Sequence, residues 1–113
     1  MEYGTKLVFH LPEYFFHENI VYGCDNQGFR KELLGALAKA GAGYFFSIPA
    51  KTFIGDREFS CEHLVVYAVE DSYYSYVQIF QEMVCKYHSE LRQKAYYYEQ
   101  DNVLVSLVIG EEG

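Results

Sequence analysis

The stretch that decides the fold is REFSCEHLVVYAV, residues 57–69. Its apolar and polar residues alternate, and β-branched and aromatic side chains are frequent, which predicts a β-strand. The run before it, GYFFSIPAKTFIG at 43–55, is also typical of a strand. Gly55-Asp56 between the two runs predicts a hairpin turn. Pro49 cannot donate to a neighbouring strand, so it places the earlier strand at an edge or at a bulge.

Outward from this hairpin, the chain alternates between strand and helix patterns. Residues 3–11 alternate strictly and predict a strand that Pro12 ends. An apolar stripe at helical spacing predicts a helix over 27–40, capped by Asp25 or Asn26 and stopped by Gly41 and Gly43. A second stripe predicts a longer helix over 72–93. Residues 96–110 predict a last strand, interrupted near Asp101-Asn102, and residues 12–25 show no clear pattern.

The resulting order, β-α-β-β-α-β, predicts an α+β fold of the ferredoxin-like kind. In that sandwich a four-stranded antiparallel sheet, ordered 4-1-3-2, carries both helices on one face. The chain of 113 residues fits a single domain over 1–113, with residues 110–113 expected to be a frayed tail.

Composition excludes several classes of function. The net charge of −7 disfavours nucleic-acid binding, because neutralising phosphates requires a basic surface. The apolar runs are too short to span a membrane, and no signal peptide is recognisable. Three cysteines without a regular framework indicate a reducing compartment, so we expect a cytoplasmic protein. Twelve Tyr and no Trp favour half-buried surfaces and interfaces.

Candidate functional residues lie on the sheet face that carries no helix. If Leu7 and Phe9 face the helices, His10 faces away, and the same alternation turns Cys61 and His63 to the open side. Thiolate and imidazole suit a soft divalent metal. A Cys-x-His pair lacks zinc-finger spacing, however, and exposed strand faces ordinarily carry polar residues. We therefore assign no metal and no cofactor, and we take His10, Cys61, His63 and Tyr67 as candidate ligand-binding residues.

With KLVFHL at 6–11 opening the chain and QDNVLVSLV at 100–108 closing it, the sequence resembles small bacterial proteins of the ferredoxin-like, dimeric α+β-barrel kind, whose function is unknown. The resemblance implies that two open sheets pack face to face and that some members enclose a small ligand. It implies no site residue. The apolar residues of the open face fit a dimer interface, for which we name Val8, Val65 and Tyr67.

The sequence favours a cytoplasmic binding protein that forms a homodimer through its open sheet face. Its partner would be a small molecule or another protein, and nucleic acid and membrane are not expected. One alternative is a small enzyme with His10, His63 or Tyr67 as general acid or base. Another is an acidic inhibitor or adaptor protein from a mobile element. Tyr14-Phe15-Phe16 is either a flap over the open face or a filler of the sheet edge.

Overall fold

Seven strands and three helices form the described part of the chain, residues 4–42, 45–69 and 71–109 of a computed structural model. In chain order they are β1 (Gly4–His10), β2 (Tyr14–His17), β3 (Ile20–Gly23), α1 (Gln27–Lys39), β4 (Phe45–Ile54), β5 (Arg57–Val69), α2 (Ser72–Lys86), α3 (His88–Leu91), β6 (Tyr96–Gln100) and β7 (Val103–Leu107).

Five of the strands form one antiparallel sheet, ordered β4-β5-β1-β6-β7, while β2 and β3 pair separately. The predicted antiparallel pairing of the first strand with the Arg57–Val69 strand is confirmed. β4, which contains Pro49, lies at the edge of the sheet as predicted. Gly55 has φ 67°, a conformation in which glycine is unstrained, and with Asp56 it joins β4 to β5.

The predicted four-stranded ferredoxin-like sandwich with two helices is wrong. The structure has a fifth strand in the main sheet, a separate two-stranded sheet and a third helix. The fifth strand arises where the sequence suggested only an interruption. Asp101 and Asn102 both have positive φ, 48° and 69°, the combination that a two-residue hairpin turn requires. The C-terminal segment therefore folds back on itself as β6 and β7.

Residues 12–25, which showed no clear pattern, contain the second sheet. Glu18 and Asn19 have φ 50° and 65°, so β2 and β3 are joined by the same kind of turn. The Gln93 side chain donates a hydrogen bond of 2.6 Å from Nε2 to the Tyr14 carbonyl oxygen. The Arg92 guanidinium lies 4.3 Å from the centre of the Phe15 ring. The β2–β3 hairpin is thus held against the segment that follows α3, and it is not an edge of the main sheet.

The single helix predicted over 72–93 is also wrong in its extent. α2 ends at Lys86, α3 is a separate short turn of helix, and Arg92 takes the left-handed conformation with φ 58°. The apolar stripe continues through Tyr87 and Leu91, so the spacing alone does not reveal the break. α1 agrees with its predicted position, and Gly41 follows it at φ 96°. The predicted stop at Gly43 and the predicted tail at 110–113 lie outside the described residues.

Both long helices cover the same face of the main sheet. Phe80 of α2 stacks on Phe9 of β1, with ring centres 4.7 Å apart, and Phe29 of α1 meets Phe80 edge-on. All three side chains are fully buried. Within the described residues, no helix has the length and apolar character needed to cross a membrane. The opposite face of the sheet, which we call the open face, carries no helix and holds the candidate site.

Candidate functional site

Two histidines meet at the centre of the open face. β1 and β5 pair in a register that sets His10 directly opposite His63. Directly opposed residues of an antiparallel pair have Cβ atoms about 5 Å apart, so their side chains touch. The two imidazole rings are stacked, with centres 3.9 Å apart and planes inclined by 7°. The strand alternation that buries Leu7 and Phe9 beneath the helices is what turns His10 to this side.

A carboxylate from a third strand completes the group. β6 lies on the other side of β1, in a register that pairs Glu99 with Val8. From there the Glu99 side chain reaches the histidines, and its Oε2 lies 2.8 Å from His10 Nε2. One ligand atom from each of His10, His63 and Glu99 falls within 4.8 Å of the others, and all three residues are half-buried. We call these three residues the His–Glu cluster.

The environment of His63 favours its neutral form. Burial lowers the pKa of His63, the neighbouring His10 lowers it further, and the Glu99 carboxylate opposes the shift. A neutral imidazole presents one N–H donor and one nitrogen acceptor. His63 can therefore both donate and accept a hydrogen bond, or ligate a cation.

A half-open cavity of about 350 Å³ adjoins the cluster. Its walls come from the open face, from the start of the β2–β3 hairpin and from the segment before β6. It is lined by His10, Leu11, Glu13, Tyr14, Lys51, Thr52, Ile54, Cys61, His63, Gln93, Ala95 and Tyr97. This volume lies in the range of small-molecule sites, which begins at about 300 Å³.

Glu13, in the cavity wall, has a carboxyl group whose surroundings disfavour its charge. Burial raises the pKa of Glu13; a hydrogen bond from the Glu62 backbone N–H lowers it, and the Glu62 charge raises it. The second carboxyl oxygen, Oε2, is buried and has no hydrogen-bond partner among the described residues. A buried acceptor without a donor costs free energy. Glu13 thus presents an acceptor that a bound molecule can satisfy.

Cys61 lines the same cavity, but it lies on β5 two residues before His63, opposite Ala50 of β4. Burial raises the pKa of the Cys61 thiol, and the charge of Glu13 raises it further. A raised pKa disfavours the thiolate, which is the form that attacks electrophiles and binds metals. Cys61 therefore contributes a neutral, weakly polar wall.

The other three candidates from the sequence lie away from the cavity. Tyr67 pairs with Lys6 towards the far end of the open face, and its ring centre lies 6.3 Å from that of Phe46. Val8 and Val65 oppose each other between Tyr67 and the histidines, with 7% and 1% of their surface exposed. These two valines form the floor of the open face and leave little surface for a second molecule to contact.

Sequence reasoning missed Glu13 and Glu99. The alternation of YYYEQ, residues 96–100, carries one signal for Glu99: Tyr96 and Tyr98 are buried, which turns Tyr97 and Glu99 to the open face. Its contact with His10 depends on the register between β6 and β1, which no local pattern specifies. Glu13 follows Pro12 in the segment left unassigned, and nothing in its neighbourhood indicates burial.

Comparison of the chain with known proteins found no matching protein family, no matching curated protein and no matching solved structure.

Proposed function

We propose that the protein works by binding a small polar molecule in the cavity beside the His–Glu cluster. The observation that carries the proposal concerns Glu13, a residue that lines a cavity of ligand size and whose buried Oε2 has no donor among the described residues. A binding site with a few fixed polar groups on largely apolar walls is the usual form of a small-molecule site.

The polar groups of the cavity restrict the class of ligand. Glu13 requires a hydrogen-bond donor, such as an amine, an amide N–H or a hydroxyl group. His63, in its neutral form, offers both a donor and an acceptor. Leu11, Ile54 and Ala95 supply apolar walls between them. A small organic molecule with a donor at one end and an apolar body satisfies all of these groups.

NMR chemical-shift mapping with a panel of small amines, amino acids and nucleosides tests this proposal. We expect the backbone amide signals of Glu13, Thr52 and His63 to shift together with at least one class of the panel. Glu13→Gln should abolish that response, because it replaces the unpaired acceptor Oε2 by an amide nitrogen.

Glu82→Gln is the matched control, since Glu82 lies on the exposed side of α2, next to Gln78. The Glu82→Gln variant should show the same amide shifts with the panel as the unchanged protein. Shifts confined to other surfaces, or a response that survives in Glu13→Gln, would contradict the proposal.

The rest of the open face supports a second part of the proposal, a homodimer in which this face contacts the same face of a second copy of the chain. Ile48 of β4 and Leu104 of β7 flank the histidines on opposite sides, with 38% and 59% of their surface exposed. Exposed apolar side chains on one face are typical of an interface. A homodimer through this face would also close the open side of the cavity.

Light scattering on the double variant Ile48→Lys/Leu104→Lys tests the homodimer. The expected result is a dimeric mass for the unchanged protein and a monomeric mass for the variant. Val103→Lys is the matched control, because Val103 is equally exposed on the same strand but points to the other face. It should stay dimeric, and a monomeric mass for the unchanged protein would rule out the interface.

A cytoplasmic location belongs to the same proposal. Cys24, Cys61 and Cys85 are free thiols, and Cys85 is exposed, as expected of a protein in a reducing compartment. A thiol count on denatured protein, taken freshly from its own cell, should find all three cysteines reduced. A lower count would contradict the cytoplasmic location.

A further inference from the structure

We propose that His10, His63 and Glu99 bind one divalent transition-metal ion, with zinc the best match. This inference deepens the proposed function and rests on it in one respect, because the ion would lie in the wall of the proposed ligand cavity. The sequence alone led us to assign no metal, and the third candidate residue that it placed beside the two histidines was Cys61. The structure supplies Glu99 in its place, from a strand that is distant in sequence.

The donor set matches the chemistry of zinc sites. Two imidazole nitrogens, which are borderline ligands, together with one carboxylate oxygen suit zinc and its first-row neighbours, whereas calcium and magnesium prefer oxygen ligands alone. Three protein ligands leave at least one coordination position for water or a bound molecule. His10 and His63 themselves line the cavity, so a fourth ligand has room on that side.

The spacing of the ligand atoms is close to what an ion requires. Ligand atoms about 2.1 Å from a tetrahedral zinc ion lie about 3.4 Å from one another. His10 Nε2 and Glu99 Oε2 are already 2.8 Å apart, and no pair in the cluster exceeds 4.8 Å. The ligand atoms that lie furthest apart must therefore approach each other by at most about 1.4 Å. In the stacked arrangement both nitrogens cannot aim at one point, so one imidazole must turn about its Cβ–Cγ bond, a soft rotation.

The backbone that holds the two histidines is rigid. They lie on adjacent strands, paired residue for residue from Gly4↔Val69 to His10↔His63, in the middle of the five-stranded sheet. A site on regular elements holds its ligands more accurately than one on loops. Only side-chain rotation is therefore needed to form the site.

The charges near the cluster favour a cation. Glu99 belongs to the cluster and Glu13 lies in the same cavity wall, while Lys51 is the one cationic side chain among the cavity's lining residues. The Lys51 ammonium lies 3.6 Å from the Glu58 carboxylate, which offsets its charge. A bound cation would thus contact the Glu99 carboxylate in a cavity whose one described cationic side chain is already paired.

Calorimetric titration of the metal-free protein with zinc chloride, together with native mass spectrometry, tests the inference. We expect one zinc ion per chain. His63→Ala and Glu99→Gln should each weaken zinc binding at least about tenfold. Losing a residue that only hydrogen-bonds to a metal ligand already lowers metal affinity by about that factor, and these two residues are ligands themselves. His17→Ala is the matched control, because His17 is exposed on the β2–β3 hairpin and should bind zinc with unchanged affinity.

Cobalt(II) provides a second readout that separates this site from a cysteine site. Its absorption spectrum should lack a thiolate charge-transfer band if Cys61 is not a ligand. Circular dichroism on each variant checks that the fold is intact. No zinc binding, undiminished binding in His63→Ala and Glu99→Gln, or a thiolate band would overturn the inference.

The NMR mapping with the panel of small amines, amino acids and nucleosides distinguishes failure of this inference from failure of the proposed function. If only the metal site is wrong, zinc binding is absent while the amide shifts with the panel persist in the unchanged protein. If only the small-molecule proposal is wrong, zinc binds with the expected variant pattern and the panel causes no shift around Glu13.

Discussion

The two faces of the main sheet are made by the same strands but differ in composition and surroundings. On the face covered by the helices, Leu64, Val66 and Ala68 of β5 are buried in an apolar core. On the open face, the alternating residues of the same strand include Cys61, His63 and Val65, a mixture of polar and apolar groups. The comparison teaches that strand alternation lets a single strand contribute to the apolar core on one side and to the candidate site on the other.

The largest expected difference between the two faces comes from an aromatic residue in the core. Phe80→Ala removes the ring that packs on Phe9 and Phe29, and should lower the free energy of unfolding by about 3–5 kcal/mol. Leu104→Ala, on the open face, should change it by less than about 0.5 kcal/mol, because Leu104 is mostly exposed. Urea denaturation measures both. Similar losses in the two variants would show that the open face contributes to stability as the core does.

A smaller difference is expected between two neighbouring valines of β5. Val66 and Val65 are both buried, but Val66 points into the core beneath the helices and Val65 into the open face. Val66→Ala should cost about 2–3 kcal/mol, since it leaves a void among packed side chains. Val65→Ala should cost about 1–2 kcal/mol, because solvent and open-face side chains can fill the space. Equal costs in denaturation experiments would mean that the open face is packed as tightly as the core.

The smallest predicted change is a gain in the free energy of unfolding, in contrast to the losses above, and it should depend on pH. Because the pKa of Glu13 is raised in the folded chain, its charged form costs stability above that pKa. The cost falls as pH drops through the folded pKa, and it disappears below the unfolded value of about 4.3. Glu13→Gln should therefore raise the free energy of unfolding at pH 7, by no more than about 0.5 kcal/mol because solvent screens the partly exposed carboxyl group. Denaturation at pH 7 and pH 4 measures this; a gain that is equal at both values would exclude Glu13 ionisation as its source.

If that variant is more stable and also fails to bind the organic panel, Glu13 trades stability for binding. Such trade-offs are typical of functional sites, where a polar group is left unpaired until a ligand arrives. The only buried side-chain oxygen or nitrogen without a hydrogen-bond partner among the described residues is this Oε2 of Glu13, so the covered core contains none.

Local patterns predicted the elements that depend on local spacing. The alternation in β1 and β5 correctly turned His10 and His63 to the same face, because the side-chain period of a strand is a property of its backbone. The hairpin at Asp101-Asn102 was readable in part: Asn tolerates positive φ, and Asp-Asn between two apolar runs is a turn signal. The break in the helix at Tyr87 was not readable, since the apolar stripe runs through it.

The pairing of the first strand with the Arg57–Val69 strand was predicted from a ferredoxin-like topology that is wrong as a whole, so the sequence by itself did not determine it. By itself the sequence determined where β1, α1, β4 and β5 lie and the faces to which their side chains point. Those features follow from backbone geometry and from the burial of apolar residues. Only the tertiary structure decided that Glu99 reaches His10 and that Glu13 lines the same cavity with one carboxyl oxygen buried. Both contacts join residues far apart in the chain, and they depend on the register between strands and the placement of a hairpin.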